Sequence, residues 1–286
     1  MKILLIGASG QLGADLLRNN IAHTVDAPQS SVLNLSKPDQ FIDYIRSTRP
    51  EIVINCAAFH NLPLCEDDPS QAFQINCLAV QHLAAICNEI NSWLVTFSTD
   101  YVFNGNNRTP YLEDDLPGPL QIYGITRLAG EYAAISNAPE NSIVIRTCGL
   151  YGITGASSRG GNFVDKCVEL ARNNDEFDMG CDQTVTPTST QSLSKAVFAL
   201  IESPLRRPGI YHLVNEGECT WHEFAVAIVE LLGLKTKVNP VDRKGLTGSM
   251  RRPIYSALSS NKALKMGIEL VPWHSALKTY INTKYK

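Results

Sequence analysis

The feature that most narrows what this chain can fold into is Gly7-Ala8-Ser9-Gly10-Gln11-Leu12-Gly13, a GxxGxxG run near the N-terminus. It stands between an apolar strand-like run, Lys2–Ile6, and a helical pattern with Leu12, Leu16 and Leu17 on one face that should stop near Asn19-Asn20. A glycine turn that binds nothing carries the same bare letters, so its placement after a first strand and before a first helix gives the pattern its weight. There the turn is tight, the backbone comes close to a pyrophosphate, and the helix N-terminus faces that negative charge. Gly7, Gly10, Gln11, Leu12 and Gly13 are therefore candidate contacts for a dinucleotide.

The chain then alternates. Ser36 with Asp39 reads as a capping box ahead of Phe41, Ile42 and Ile45, and Pro50 marks the exit. Ile52-Val53-Ile54 reads as a buried strand, and a long helical pattern runs through Ala72, Ile75, Ala79, Leu83 and Ile86. Trp93–Phe97 and Ile143–Ile145 read as further strands. Strand and helix at this spacing predict an α/β fold, a Rossmann doubly wound parallel sheet with its chemistry at the carboxyl ends of the strands.

Past Leu150 the alternation breaks. Residues 155–161 are rich in glycine and serine and predict a loop; Ser192–Glu202 reads as helix and Ile210–Val214 as strand. Thr220 and Glu223 form a second capping box, opening an amphipathic helix to about Leu232. Val241–Lys286 mixes short helices and loops. The division expected is a dinucleotide-binding domain of residues 1–150 plus about 187–215, with a smaller, discontinuous substrate-binding lobe of about 151–186 and 216–286.

Charge and cysteine usage exclude several classes. A formal net charge of -3 with no basic run gives no field to recruit nucleic acid or anionic lipid. No apolar stretch is long enough to span a bilayer, and the N-terminal run is too short for a secretory signal. The eight cysteines are scattered, without a CxxC pair or a histidine at ligand spacing, which predicts free thiols in a reducing cytoplasm and no metal site. His60 reads as a pocket-lining residue, and Cys56 and Cys148 as small buried residues at strand ends.

Three further stretches should stand at strand ends. Thr24-Val25-Asp26 fits the second strand, where Asp26 is either an acceptor for ribose hydroxyls or an ordinary exposed acid. As a ribose contact it would repel a 2′-phosphate and favour NADH. Asn55-Cys56-Ala57-Ala58 and Ser98-Thr99-Asp100-Tyr101-Val102-Phe103 carry polar residues, and Tyr123-Gly124-Ile125-Thr126-Arg127-Leu128-Ala129-Gly130-Glu131 follows. Here the chain resembles the extended short-chain dehydrogenases/reductases, and within them the dTDP-4-dehydrorhamnose reductase family. The resemblance covers almost the whole chain, including Gly161-Asn162-Phe163, Asp182-Gln183 with Pro187-Thr188, and Arg252-Pro253 followed by Ser256.

The resemblance implies NAD(P)H-dependent reduction of the C4 keto group of a nucleotide-linked 6-deoxyhexose, with NADPH or NADH as cofactor. It maps a Thr–Tyr–Lys triad onto Thr99, Tyr123 and position 127, and adds Asn34, Leu35, Ala57 and Ala58 to the cofactor contacts. It also places His60, Thr99, Asp100, Gly149 and Arg252 near the substrate, Arg252 suiting a diphosphate through its guanidinium fork, and it points to a homodimer; by residue type Asp100 is equally a strand-end capping acid and Arg252 equally a surface residue before a proline turn. The chemistry agrees with the residue types. A carbonyl that gains a hydride needs a proton, a tyrosine of pKa about 10 needs a neighbouring cation to supply one at neutral pH, and a threonine hydroxyl polarises the oxygen.

Two departures from the family pattern stand out. Position 127 is arginine, which keeps the charge but is bulkier and does not readily release a proton. Gly149 stands where better-known members carry a tryptophan against the sugar, and Phe59-His60 replaces a smaller polar stretch. An epimerase of the same fold and a non-catalytic nucleotide-sugar-binding subunit are the other readings. A dehydratase, grouped with the first, would want an extra acid beside the threonine and none follows Asp100; the second is kept open by Arg127.

Overall fold

The computed structural model describes residues 1–154, 161–247 and 250–286, so the loop expected over 155–161 lies, Gly161 apart, outside the described residues. Strand β1 (Lys2–Ile6) runs through the glycine loop into helix α1 (Gln11–Asn19), followed by β2 (Thr24–Asp26), α2 (Pro38–Thr48) and β3 (Ile52–Asn55). Every residue of β3 and all but the first of β1 are buried, as expected of strands covered on both faces. Next come α3 (Leu62–Asp67), α4 (Pro69–Phe73), a π-helical turn (Gln74–Leu78), α5 (Ala79–Glu89), β4 (Trp93–Thr99), α6 (Ile122–Asn137) and β5 (Ser142–Thr147).

The second half holds β6 (Leu150–Tyr151), α7 (Phe163–Asn173), β7 (Glu176–Gly180), β8 (Thr184–Val185), β9 (Thr188–Ser189), α8 (Thr190–Glu202) and β10 (Gly209–His212). It continues with β11 (Cys219–Thr220), α9 (Trp221–Leu232), β12 (Lys237–Val241), α10 (Asn261–Leu264) and α11 (Trp273–Tyr285). The central sheet has the order β2-β1-β3-β4-β5-β10, every pair parallel. The chain leaves β1 toward β2 on one side and returns to β3 on the other, so the switch in winding lies between β1 and β3, at the glycine loop.

Two apolar layers cover this doubly wound sheet. Leu12, Leu16, Leu193, Val197 and Leu200 from α1 and α8 pack on one face, joined by Ala263, Ile268 and Leu270 from the C-terminal segment. Phe41, Ile45, Leu83 and Ile86 from α2 and α5 pack on the other. A separate core gathers Tyr151 of β6 with Val168, Phe224, Ile228, Leu277 and Ile281 from α7, α9 and α11.

Three local readings need correction. Ser36 does not cap α2: its N–H donates to Asn34 Oδ1 (2.9 Å), the N-cap is Lys37, and Pro38 opens the helix with its φ already preset. The long helical stretch through Ala72 and Ile86 is not uniformly α, because the π turn inserts at Gln74–Leu78. The C-terminal segment ends in a 13-residue helix rather than short pieces. The Thr220/Glu223 capping box is formed in both directions.

A buried ion pair ties α6 to the sheet. Arg146 on β5 donates through Nε and Nη2 to both oxygens of Glu131 (2.9 and 2.7 Å), with Ser98 of β4 donating to the same carboxylate. Arg146 Nη1 also donates to the Glu113 carbonyl (3.2 Å), and the guanidinium lies 5.1 Å from the Phe103 ring centre. His212, at the end of β10, donates from Nδ1 to the Tyr111 carbonyl (3.1 Å) and turns Nε2 toward Arg146. Burial, and then the nearby guanidinium, push its pKa down to about 3, so it is neutral in the fold.

Two predictions follow from this network. Replacing Glu131 by Gln leaves Arg146 buried against a neutral amide and should cost about 3–5 kcal/mol in urea unfolding, whereas Glu131→Met with Arg146→Leu should recover most of it. For His212 the unfolded chain takes up a proton, near pH 6.5, that the folded chain refuses until about pH 3. Its contribution is therefore full above about pH 6.5 and lost as the pH falls, and His212→Asn should flatten the acid limb of the urea-midpoint profile between about pH 6.5 and 4.

Candidate active site

The glycine loop is built for close approach. Gly7 adopts φ +81°, a left-handed conformation, and a Cβ there would lie 2.8 Å from the Ala57 nitrogen at the end of β3. A Cβ on Gly13 would overlap the Gly7 carbonyl oxygen, so α1 can start this close to the strand only with glycine. Gly10, the N-cap of α1, offers no side chain to the first turn. The N–H groups of Gln11, Leu12 and Gly13 are therefore open to an anion. The Leu12 side chain is in the core, and Gln11 Oε1 accepts from the Gly152 N–H (3.1 Å), so these two residues face a ligand with backbone only.

Around that loop the other expected cofactor residues take mixed positions. Asp26 ends β2, and its Oδ2 accepts from the Tyr44 hydroxyl (2.8 Å). Asn34 spends its side-chain oxygen on Ser36, and Leu35 is buried in the core. Ala57 donates its N–H to Asn55 Oδ1 (3.1 Å), and the Ala58 carbonyl accepts from His60 Nδ1 (3.3 Å).

Helix α6 brings Tyr123 and Arg127, one turn apart on one face, to the end of β4. Its two glycines make that possible: a Cβ on Gly124 would overlap the Tyr101 carbonyl oxygen, and one on Gly130 the Asn76 carbonyl oxygen. Gln121 caps the helix by accepting from the Gly124 N–H (2.7 Å). The Tyr123 ring meets Tyr101 edge-on, with centres 6.5 Å apart. Arg127 is only 5% exposed, yet its hydrogen bond from Nη1 to Asn76 Oδ1 is long (3.5 Å), and its Nε has no partner among the described residues.

Asn76 is a residue that sequence reading passed over. It sits in the π turn, a distortion often found at functional sites, and is 1% exposed. It accepts from the Phe59 N–H (2.9 Å), donates to the Phe59 carbonyl (2.8 Å) and donates to Thr126 (3.1 Å). The loop after β3 and the helix carrying Arg127 are thus held by one side chain. The available signal was an amide at a position in helical step with the apolar Ala72, Ala79 and Leu83.

Thr99, the last residue of β4, and Asp100 are both buried. Thr99 Oγ1 accepts from the Tyr101 N–H (3.2 Å) and lies 3.0 Å from Asp100 Oδ1; Ser256 donates to Asp100 Oδ2 (2.6 Å). Burial raises the Asp100 pKa above the ordinary carboxylate value against the pull of Ser256, Cys148 and Thr99. The stretch holding Arg252 and Ser256 runs beside Thr184, which donates to the Ile254 carbonyl and accepts from the Ser256 N–H (both 2.9 Å). Arg252 acts electrostatically on Tyr101, and its Nε is buried without a partner among the described residues. Gly149 is left-handed (φ +55°) with Trp221 and Pro187 packed against it, so the wall expected to be missing there is occupied by an indole from α9.

These features fit a nicotinamide dinucleotide. The loop is a cradle that a Cβ would fill, and Arg127 is a buried cation with no ion pair among the described residues and an unspent donor, an arrangement that is costly unless a ligand completes it. Among the described residues no group of three or more histidine, cysteine or acidic side chains is placed to hold a metal ion. No described helix is long and apolar enough to cross a membrane.

Comparison with known proteins gives a consistent result. Residues 1–286 match the family described as RmlD substrate binding domain. The spore coat polysaccharide biosynthesis protein SpsK of Bacillus subtilis is 36% identical over 99% of this chain and 98% of its own length. The dTDP-4-dehydrorhamnose reductase of Escherichia coli is 33% identical over 99% of this chain and 97% of its own. Among solved structures, the dTDP-4-dehydrorhamnose reductase of Bacillus anthracis in complex with NADP superposes with a TM-score of 0.90 at 28% identity, covering 99% of each chain.

Gly13→Ala tests the cradle directly. It should force α1 away from the loop and weaken NADPH binding by at least about tenfold, read by quenching of protein fluorescence, with a smaller effect on unfolding.

Proposed function

The chain belongs to the RmlD substrate binding domain family, and from that premise we propose that it reduces, with NADPH or NADH, the C4 keto group of a dTDP-linked 6-deoxyhexose of the dTDP-4-dehydrorhamnose type. The observation that carries the reading is Arg127, a buried guanidinium one helical turn after Tyr123 with no ion pair among the described residues and an unspent donor. The reduced dinucleotide, when bound, supplies the hydride for the keto carbon. The glycine loop and the first turn of α1 hold its pyrophosphate, with Ala57 and Ala58 beside them at the switch in winding.

Tyr123 donates the proton that the C4 oxygen takes up, and Thr99 holds that oxygen by a hydrogen bond. Arg127 contributes positive charge next to Tyr123, which favours loss of the phenolic proton, and its free Nε is suited to a ribose hydroxyl. Because arginine keeps its proton, it acts here as a fixed charge and does not relay protons. Arg252, with its own unspent Nε, takes the diphosphate of the substrate. Asp26 with one oxygen taken by Tyr44 leaves the other for a ribose hydroxyl, which supports use of NADH beside NADPH.

The lobe built on α7, α9 and α11, with the 252–256 stretch, is the part we assign to the nucleotide sugar, and we assign His60, after β3, to the same ligand. Eight free cysteines support a reducing cytoplasm as its location.

The test is loss of absorbance at the reduced-nicotinamide band with dTDP-4-dehydrorhamnose. Wild type should turn over, Tyr123→Phe and Thr99→Val should each lose roughly a hundredfold or more in kcat, and Arg127→Lys should stay active. Binding of NADPH and nucleotide sugar without consumption of either, in both wild type and Arg127→Lys, would replace this reading with that of a binding subunit.

A further inference from the structure

To donate a hydrogen bond to the substrate oxygen, Thr99 must have its hydroxyl proton to spare. A threonine hydroxyl has one proton and two lone pairs. One lone pair is used by the Tyr101 N–H, and the 3.0 Å contact to Asp100 Oδ1 needs a proton from one side or the other. If Asp100 is ionised, it can only accept, so Thr99 must give up its single proton to it. Thr99 would then offer a ketone oxygen nothing.

The surroundings of Asp100 favour the opposite arrangement. The side chain is 4% exposed, and no ion pair joins it to a cation among the described residues. The titratable groups facing it are the Cys148 thiol, from just after β5, and the Tyr101 phenol, both held protonated by burial. Tyr123 and Arg252 act on Tyr101 from beyond it. Its other oxygen, Oδ2, accepts from Ser256 at 2.6 Å and the Cys148 thiol also donates to the carboxyl, bonds that the carbonyl oxygen of a neutral carboxyl and a carboxylate both accept. Desolvation raises its pKa, in the same direction.

We infer that Asp100 works as a neutral carboxylic acid that donates its Oδ1 proton to Thr99 Oγ1, leaving the threonine proton free for the substrate oxygen. This rests on the reductase reading above and makes Asp100 a positioning residue, acting through Thr99 and not on the sugar. The resemblance also sets Asp100 near the substrate; in the fold its two oxygens are bonded to Thr99 and Ser256. Ser256 locks the acceptor oxygen and so decides which of the two carries the proton. The arrangement also couples the 252–256 stretch, which carries Arg252, to the residue at the reacting oxygen.

Infrared difference spectroscopy of the whole enzyme at neutral pH reads the proton directly. Wild type should show the carbonyl stretch of a protonated carboxyl that is absent from Asp100→Asn. Ser256→Ala, by removing the bond to that carbonyl, should shift the band to higher frequency, which identifies it even if the Asn variant does not fold. Superimposable spectra in that region for wild type and both variants would overturn the inference. In kinetics, Asp100→Asn, whose amide can donate to Thr99, should keep kcat within about tenfold, while Asp100→Ala should lose about a hundredfold with KM little moved. Equal losses in the two variants would also count against it. If wild type reduces no nucleotide sugar, the functional reading falls, while the band still decides the state of Asp100.

Discussion

The site depends on the buried pair between Arg146 and Glu131. Removing two charges from water is expensive, and such a pair rarely adds net stability over well-packed apolar side chains. What it supplies is geometry. Glu131 lies one helical turn after Arg127 and two after Tyr123, so anchoring its carboxylate on β5, with Ser98 on β4 bonded to it as well, fixes the rotation of α6 about its own axis. That rotation decides whether the tyrosine and the arginine face Thr99. His212, kept neutral, and the Phe103 ring complete the shell around the guanidinium without adding a second charge.

A second clamp works from the other side. Asn76 holds the loop after β3 through two bonds to Phe59 and reaches Thr126 and Arg127 on α6. The π turn that carries it lets an amide point into a packed interface while the helix continues on either side. Together the two clamps leave Arg127 surrounded but incompletely bonded. Arginine suits such a place because a planar guanidinium can spread its donors between a protein amide and a ligand. The third contribution comes from far along the chain, where Ser256 reaches Asp100 and sets the state of the residue beside Thr99.

How much of this was legible in the residues depends on range. The glycine loop, its strand and its helix were readable because a GxxGxxG run between a β-like and an α-like segment has few other uses, and the Thr220/Glu223 box formed as expected. Ser36 misled because a capping-box pattern is short, and the neighbouring Asn34 turn with Pro38 outcompetes it. The π turn was invisible, since its apolar spacing continues the helical pattern around it. Gly149 read as a missing wall, and only packing shows Trp221 filling the place.

By itself the amino-acid sequence determined the parallel sheet, the place of its glycine loop, and the residue types at the strand ends, because these are written in periodicity and turn chemistry over a few neighbouring residues. Tertiary structure alone decided that Glu131 pairs with Arg146 fifteen positions away, that Asn76 meets Thr126, and that Ser256 finds Asp100 across 156 positions. Those partners are chosen by burial. Once water is excluded, each polar group must be satisfied by whatever the fold brings within about 3 Å, and nothing in the local sequence names it.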